Sequence, residues 1–382
     1  MHLVSAETNG VAMTDVKYWV GFNIVPGIGP ARLKRLLDHF GDAESAWNGP
    51  PLELARAGLD RKSLQSLLAV RAKLDLDAEM HRIEDAGAHV VTLQDENYPQ
   101  LLRQINLPPL MLYVKGSYLA DDDWAIAVVG TRRAKAYGQE VTRYLAGGLA
   151  RNGITIVSGL ARGIDSQAHR SALQAGGRTI AVLGSGIDVI YPSENRGLAQ
   201  EIVAAGALIT EYPLGTKPDR KNFPPRNRII SGLTLGTLVT QAPEGSGALI
   251  TAYFALEQGR EVFAVPGSLL DRGCGGTNRL IQQGEAKLVM RVEDVLEELN
   301  LTMVSQQAEV RAAVPGNETE ALLLQHLSEE PLHVDELGRA SGLPIAQVSG
   351  TLALMELKGL VRQASGMKYV LAREAGGQYT VD

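Results

Sequence analysis

The chain has 382 residues, 45% apolar and 21% charged, with a formal net charge of −6. Those proportions exclude a disordered or fibrous chain, and the length fits two or three domains. A single cysteine, Cys274, excludes intrachain disulfides and a cysteine-rich zinc site, and no unbroken apolar run is long enough to mark a membrane span.

Residues Met1–Met13 lack the basic and apolar regions of a signal peptide, so a cytoplasmic location is expected. A helical domain is expected over residues 14–87. Asp15–Asn23, Pro30–Phe40, Leu52–Ala57 and Arg61–Arg71 carry apolar residues at three- and four-residue steps. Pro26-Gly27-Ile28-Gly29-Pro30 makes a tight turn before the second helix, with proline suited to its first position. This resembles a helix-hairpin-helix or SAM-like module. Two readings stand. The hairpin offers backbone N–H groups to a phosphate, helped by Arg32, Lys34 and Arg35; or the module only packs and binds no DNA.

Residues 88–300 alternate β-rich apolar runs with helical stretches. The runs are Ala125–Val129, Ile154–Val157, Thr179–Leu183, Ala207–Thr210, Thr237–Gln241, Glu261–Val265 and Lys287–Met290. Nearly all-apolar strands that alternate with helices predict an α/β fold with a doubly wound, Rossmann-like parallel sheet covered on both faces. Ligands of such folds sit beyond the carboxyl ends of the strands. The residues there are informative: Gly130-Thr131-Arg132-Arg133, then Ser158–Asp165, Gly184-Ser185-Gly186, the basic Phe223–Arg228, and Pro243–Gly247. Glycines admit close backbone approach, and arginines fork onto phosphate oxygens. One sheet edge therefore suits an anion or a chain of anions. A dinucleotide is not favoured, because Gly184-Ser185-Gly186 lacks the third glycine of G-x-G-x-x-G, and no P-loop is present. No cofactor and no metal are expected.

After a linker over 301–317, residues 318–375 read as a winged helix: Thr319–Leu327, Val334–Ser341 and Ile345–Lys358, then a hairpin turning at Ser365-Gly366. Val348, Leu352, Met355 and Leu357 are expected in its core. Acids outnumber bases in this domain, which favours protein contact or regulation over phosphate binding.

The central domain resembles, motif by motif and in order, the DNA-processing protein DprA (Smf) family. The matching stretches are Val128–Arg133, Ile156–Asp165, Ala181–Gly186, Phe223–Leu233, Ser246–Ala252 and Gly259–Gly267. The resemblance implies a single-stranded DNA-binding protein without a catalytic reaction. Such a protein protects incoming DNA during natural transformation, loads the RecA recombinase, and is a homodimer. It implies DNA contacts from Gly130, Thr131, Arg132 and Arg133, from Arg220, Phe223, Arg226 and Asn227, and from Ser158, Gly159 and Arg162. It places the dimer surface around Leu280–Leu299. Where the family commonly has Glu-Ala after its fifth strand, this chain has Gln241-Ala242.

Single-strand binders join a basic groove to an aromatic platform, and Phe223 between Lys221 and Arg226 fits that role. Of Arg226 and Arg228, two apart on one helix, one is expected to reach phosphate and the other to brace the loop. Asp165 is expected to cap a helix or orient Arg162, His169 to be packed, and Cys274 to lie in a surface loop. The alternative is a nucleotide phosphoribohydrolase of the lysine-decarboxylase-like fold, whose P-G-G-x-G-T-x-x-E signature is approached by Gly275-Gly276-Thr277 without its acid.

Overall fold

The computed structural model describes residues 16–299, 318–327, 332–357, 361–364 and 367–371. The linker, Lys358, Ser365-Gly366 and the side chain of Leu357 lie outside them. The chain divides into two compact units, Met1–Val295 and Leu296–Asp382.

The first unit opens with six helices: α1 Val16–Ile24, α2 Pro30–Phe40, α3 Ala43–Asn48, α4 Pro51–Arg56, α5 Arg61–Arg71 and α6 Leu76–Asp85. Of these, α3 and α6 were not expected from the sequence. Three of the helices start at an aspartate whose carboxylate accepts a backbone N–H three residues on: Asp42 from Ser45, Asp60 from Ser63 and Asp75 from Ala78. Phe22 meets Trp47 edge to face at 5.2 Å in the module's core. That core continues into Met111, Leu183, Leu198 and Leu208 of the sheet domain, so the module is packed onto one sheet face.

The sheet has nine strands: β1 His89–Thr92, β2 Met111–Gly116, β3 Ala125–Gly130, β4 Thr155–Ser158, β5 Thr179–Val182, β6 Ala207–Thr210, β7 Gly236–Gln241, β8 Glu261–Ala264 and β9 Lys287–Leu288. Their order is β1-β2-β6-β5-β4-β3-β7-β8-β9. The seven expected strands, β3 to β9, are parallel. The two additional strands, with the one-turn helix α7 Gln100–Arg103 between them, are antiparallel, β2 pairing with β6 and β1 with β2. The sheet is thus mixed at one edge rather than wholly parallel. On one face lie α8 Ala136–Arg151, α9 Ile164–Gln174 and α10 Arg196–Ala205; the other carries α11 Phe223–Gly232 and α12 Gly247–Glu257. The chain ends this domain through α13 Gly275–Gln282 and α14 Val292–Glu298. From β3 the winding runs outward through β4, β5 and β6, then jumps back to β7 on the other side of β3. That jump is the topological switch point, where the helices flanking β3 diverge and leave a crevice.

In the second unit, α15 Glu318–His326, α16 Val334–Ser341 and α17 Ile345–Leu357 pack with a three-stranded sheet. Its strands are β10 Leu332–His333, β11 Val361–Ala364 and β12 Lys368–Leu371, in the order β10-β12-β11. Val348, Leu352 and Met355 are buried with Leu323 and Leu337. No helix among the described residues is long and apolar enough to cross a membrane.

Candidate nucleic-acid interface

A cleft of about 530 Å³ opens at the switch point, lined from the end of β3, the loop after β4 and the starts of α9, α11 and α12. Its position follows from the backbone. The Gly130-Thr131-Arg132 turn is held from below by Thr131 N–H donating to Gln241 O at 2.8 Å, and Thr131 O accepts from Ile164 N–H at 3.2 Å. Gly163 permits that approach with φ of +78°; a Cβ there would lie 2.3 Å from Thr131 O. The turn is thereby locked, and Arg132 and Arg133 project exposed into solvent.

Opposite them, α11 starts at Phe223, followed by two prolines that need no N–H partners in the first turn. Phe223 is half-buried. Its ring lies against Gly184, where a Cβ would sit 2.8 Å from the ring edge, and 5.9 Å from Tyr191. The Arg132 guanidinium lies 5.3 Å from the ring centroid and that of Arg226 5.8 Å. The aromatic ring and the leading arginine of the glycine loop therefore form one cation–π unit.

Arg226 is 4% exposed. Its guanidinium donates to Gly159 O at 3.0 Å, to Val182 O and to Asn227 Oδ1 at 3.1 Å. Burial lowers its pKa to about 10, so it is charged at neutral pH. Asp165, also buried, is the countercharge. Burial raises its carboxyl pKa, while Arg226 and the N–H groups of Ala161 and Gly159 oppose that rise. Arg226 Nη2 and Asp165 Oδ2 both close on Gly159, lying 2.6 and 2.9 Å from where a Cβ would stand. Asp165 thus faces Arg226. Its expected partner Arg162 turns outward instead, paired with Glu194.

The expectation for the two arginines of α11 is revised. Arg226 braces the floor of the cleft, and Arg228 is held by Glu211 at 2.5 Å. Gly130, Thr131, Arg132, Arg133, Arg220, Phe223, Arg226 and Asn227 all line the cleft. Ser158, Gly159 and Arg162 do not: Ser158 Oγ ties β4 to β3 through Val128 O at 2.7 Å, and Gly159 lies beneath Arg226. Lining residues that the sequence reading did not count among the DNA contacts are Ser246, Gly247 and Thr251, where α12 begins, and Asp165. The signal for the first three was their place just after β7.

Gln241 is fully buried: its Oε1 accepts from Lys135 N–H at 3.0 Å and its Nε2 lies 4.0 Å from Cys274 Sγ. The change from a family acid therefore falls beneath the loop, not on the cleft rim. Cys274 is buried in a short turn, Arg272–Cys274, and not in a surface loop. His169 is buried as expected. Its Nδ1 lies 2.7 Å from Thr179 Oγ1, and burial lowers its pKa to about 3.

The model of the DNA recombination-mediator protein A family matches residues 89–300, and that of the DprA winged helix domain matches residues 307–367. Protein Smf of Synechocystis is 35% identical over 94% of this chain and 99% of its own length. DNA processing protein A of Streptococcus pneumoniae superposes with a TM-score of 0.66 at 36% identity, over 74% of this chain and 97% of that one. DNA processing protein A of Helicobacter pylori, studied for its single-stranded DNA binding mode, superposes with a TM-score of 0.51 at 31% identity, over 56% of this chain and 96% of that one. With a family model across its whole sheet domain and a relative matched over nearly its full length, this chain belongs to the DNA recombination-mediator protein A (DprA) family.

Proposed function

We propose that this protein binds single-stranded DNA in the switch-point cleft, protects incoming strands during natural transformation and passes them to the RecA recombinase. The observation that carries the reading is the pairing of Phe223 with Arg132 in a cleft rimmed by Arg133 and Arg220. A base stacks on an aromatic face whatever its identity, and the cations track the backbone, so the site suits a strand of any sequence. The single-stranded DNA binding mode described for the Helicobacter pylori relative supports it. We read the protein as a binding protein rather than an enzyme: the cleft's one buried carboxylate, Asp165, is engaged with Arg226 and two backbone amides. We read it as cytoplasmic and as a homodimer through the region Leu280–Leu299, where Leu288 of the short edge strand β9 and Met290 just after it are exposed.

The test is fluorescence anisotropy with labelled single- and double-stranded oligonucleotides over a salt series, on wild type and Arg132→Ala. A single-strand preference, a steep salt dependence and loss in the variant are expected. Absence of single-strand binding at low salt overturns the reading, and release of base from a nucleoside monophosphate would then favour the phosphoribohydrolase.

A further inference from the structure

The helical module carries a basic surface that the cleft does not account for. Lys34 and Arg35 on α2 and Arg61 and Lys62 at the start of α5 are all exposed. Arg32 is spoken for, donating to Gly27 O at 2.6 Å and pairing with Asp60 at 2.5 Å. Among the described residues Lys34, Arg61 and Lys62 have no carboxylate partner, and Arg35 donates only to Ala31 O at 3.3 Å. Arg61 and Lys62 occupy the first two positions of an eleven-residue helix, where the helix dipole disfavours cations. Both side chains are exposed, outside the module's core.

The contacts also limit how far the start of α5 lies from the cleft loop. Asn23, at the end of α1, donates to Glu211 O at 3.2 Å and accepts from Tyr113 OH at 3.3 Å. Glu211 follows β6 and leads into Tyr212, whose hydroxyl donates at 3.1 Å to Asn222 O, the residue before Phe223. In the other direction Gly27 is four residues beyond Asn23, a span of about 14 Å at most, and Gly27 O accepts from Ser63 Oγ at 3.5 Å in the first turn of α5. The exposed loop that carries Lys217, Arg220 and Lys221 leaves the sheet at the same edge. The start of α5 is therefore tied, through α1 and the end of β6, to the loop that carries cations to the cleft.

Resting on the single-strand reading above, we propose that Lys34, Arg35, Arg61 and Lys62 hold the phosphate backbone of the same strand once it leaves the cleft. The footprint is then longer than the cleft, and the module contributes affinity only to strands long enough to reach it.

The experiment is anisotropy with labelled oligothymidylates of about 6 and about 25 nucleotides. It uses the full chain as wild type, Arg61→Glu/Lys62→Glu and Arg132→Ala. The charge-reversal variant should bind the short strand as wild type does. It should bind the long one about tenfold more weakly, with the slope of log K against log salt shallower by about 0.7 for each phosphate no longer neutralised. Its melting temperature should not fall, since the change removes cations from a helix start. Undiminished binding of the long strand, or equal weakening on both lengths, overturns the proposal. A variant that melts lower is replaced by Lys34→Gln/Lys62→Gln, for which the same two outcomes decide. Failure of the underlying reading looks different: wild type binds neither length, or Arg132→Ala leaves the short strand unaffected.

Discussion

Arg226 shows how a buried charge can serve an exposed site. Three acceptors and the facing carboxylate of Asp165 fix its guanidinium beneath the Phe223 ring, so the ring is presented in one orientation before any strand arrives. On that basis Phe223→Ala should weaken single-strand binding by about 1–3 kcal/mol, the contribution of one stacked base, while leaving the salt slope of wild type. Arg132→Ala should also weaken binding but, unlike the ring change, flatten the slope. Anisotropy titrations at several salt concentrations separate the two; a flattened slope in Phe223→Ala would mean that the ring only holds Arg132 in place. His169 sets a pH dependence of stability. Thr179 Oγ1 donates to Ile156 O at 2.7 Å, which leaves it to accept from Nδ1–H, and Nε2 has no partner among the described residues. The ring is therefore neutral in the fold, its pKa lowered to about 3 by burial and then by Arg226. Below pH 6.5 the unfolded chain takes up a proton that the folded chain refuses. Stability should accordingly fall with acidification, by up to about 1.4 kcal/mol per pH unit. Asp165 works in the opposite sense, since its raised pKa lets the fold accept a proton first. Urea unfolding of wild type and His169→Gln across that range should give a shallower slope in the variant; equal slopes would sink the assignment.

Among the elements, the short turn Ala120–Asp123 before β3 depends on one carboxylate. Asp122 is wholly buried and accepts from Arg178 twice, from Thr155 Oγ1 and from Leu119 N–H, tying β3, β4 and β5 together at their amino ends. Asp122→Ala strands these donors. A buried pair broken this way costs about 3–5 kcal/mol, with the lower end expected because Arg178 is partly exposed; a urea midpoint within error of wild type would contradict it. This tie was not legible in the sequence, which shows only a run of three aspartates. The strands β3 to β9 were legible because each is a short apolar run bounded by glycine or polar residues. By contrast β1 and β2 were missed: they pair antiparallel and are joined by a stretch with only one helical turn, α7, and with Pro99, Pro108 and Pro109, which breaks the strand–helix rhythm. The cleft loops were legible from glycine and arginine placed after strands. What composition hid was partnership. Charge argues for exposure, so the burial of Arg226 and the pairing of Arg162 with Glu194 had no local signal. Glycine argues for a loop, so the buried turn at Cys274 had none either.

At the scale of the molecule, the net charge of −6 and the basic cleft are reconciled by distribution. In the sequence of the second unit Glu318, Glu320, Glu329, Glu330, Asp335, Glu336 and Glu356 outweigh Arg339, Lys358, Arg362 and Lys368, so the acid is concentrated outside the unit that holds the cleft. Local cations set binding, while the summed field sets how fast a polyanion approaches. A chain ending before Leu301 should therefore associate with single-stranded DNA severalfold faster than the full chain at about 10 mM salt, where fields reach about 30 Å. The two should associate at the same rate at about 1 M, where they reach about 3 Å. Dissociation rates should match throughout, because the cleft lies wholly within the first unit. Stopped-flow measurement of both rates decides the role of the winged helix. If its removal slows association or speeds dissociation, that unit contacts the strand directly. If only the low-salt association rate rises, it acts as a charged screen that discourages polyanions the cleft does not hold.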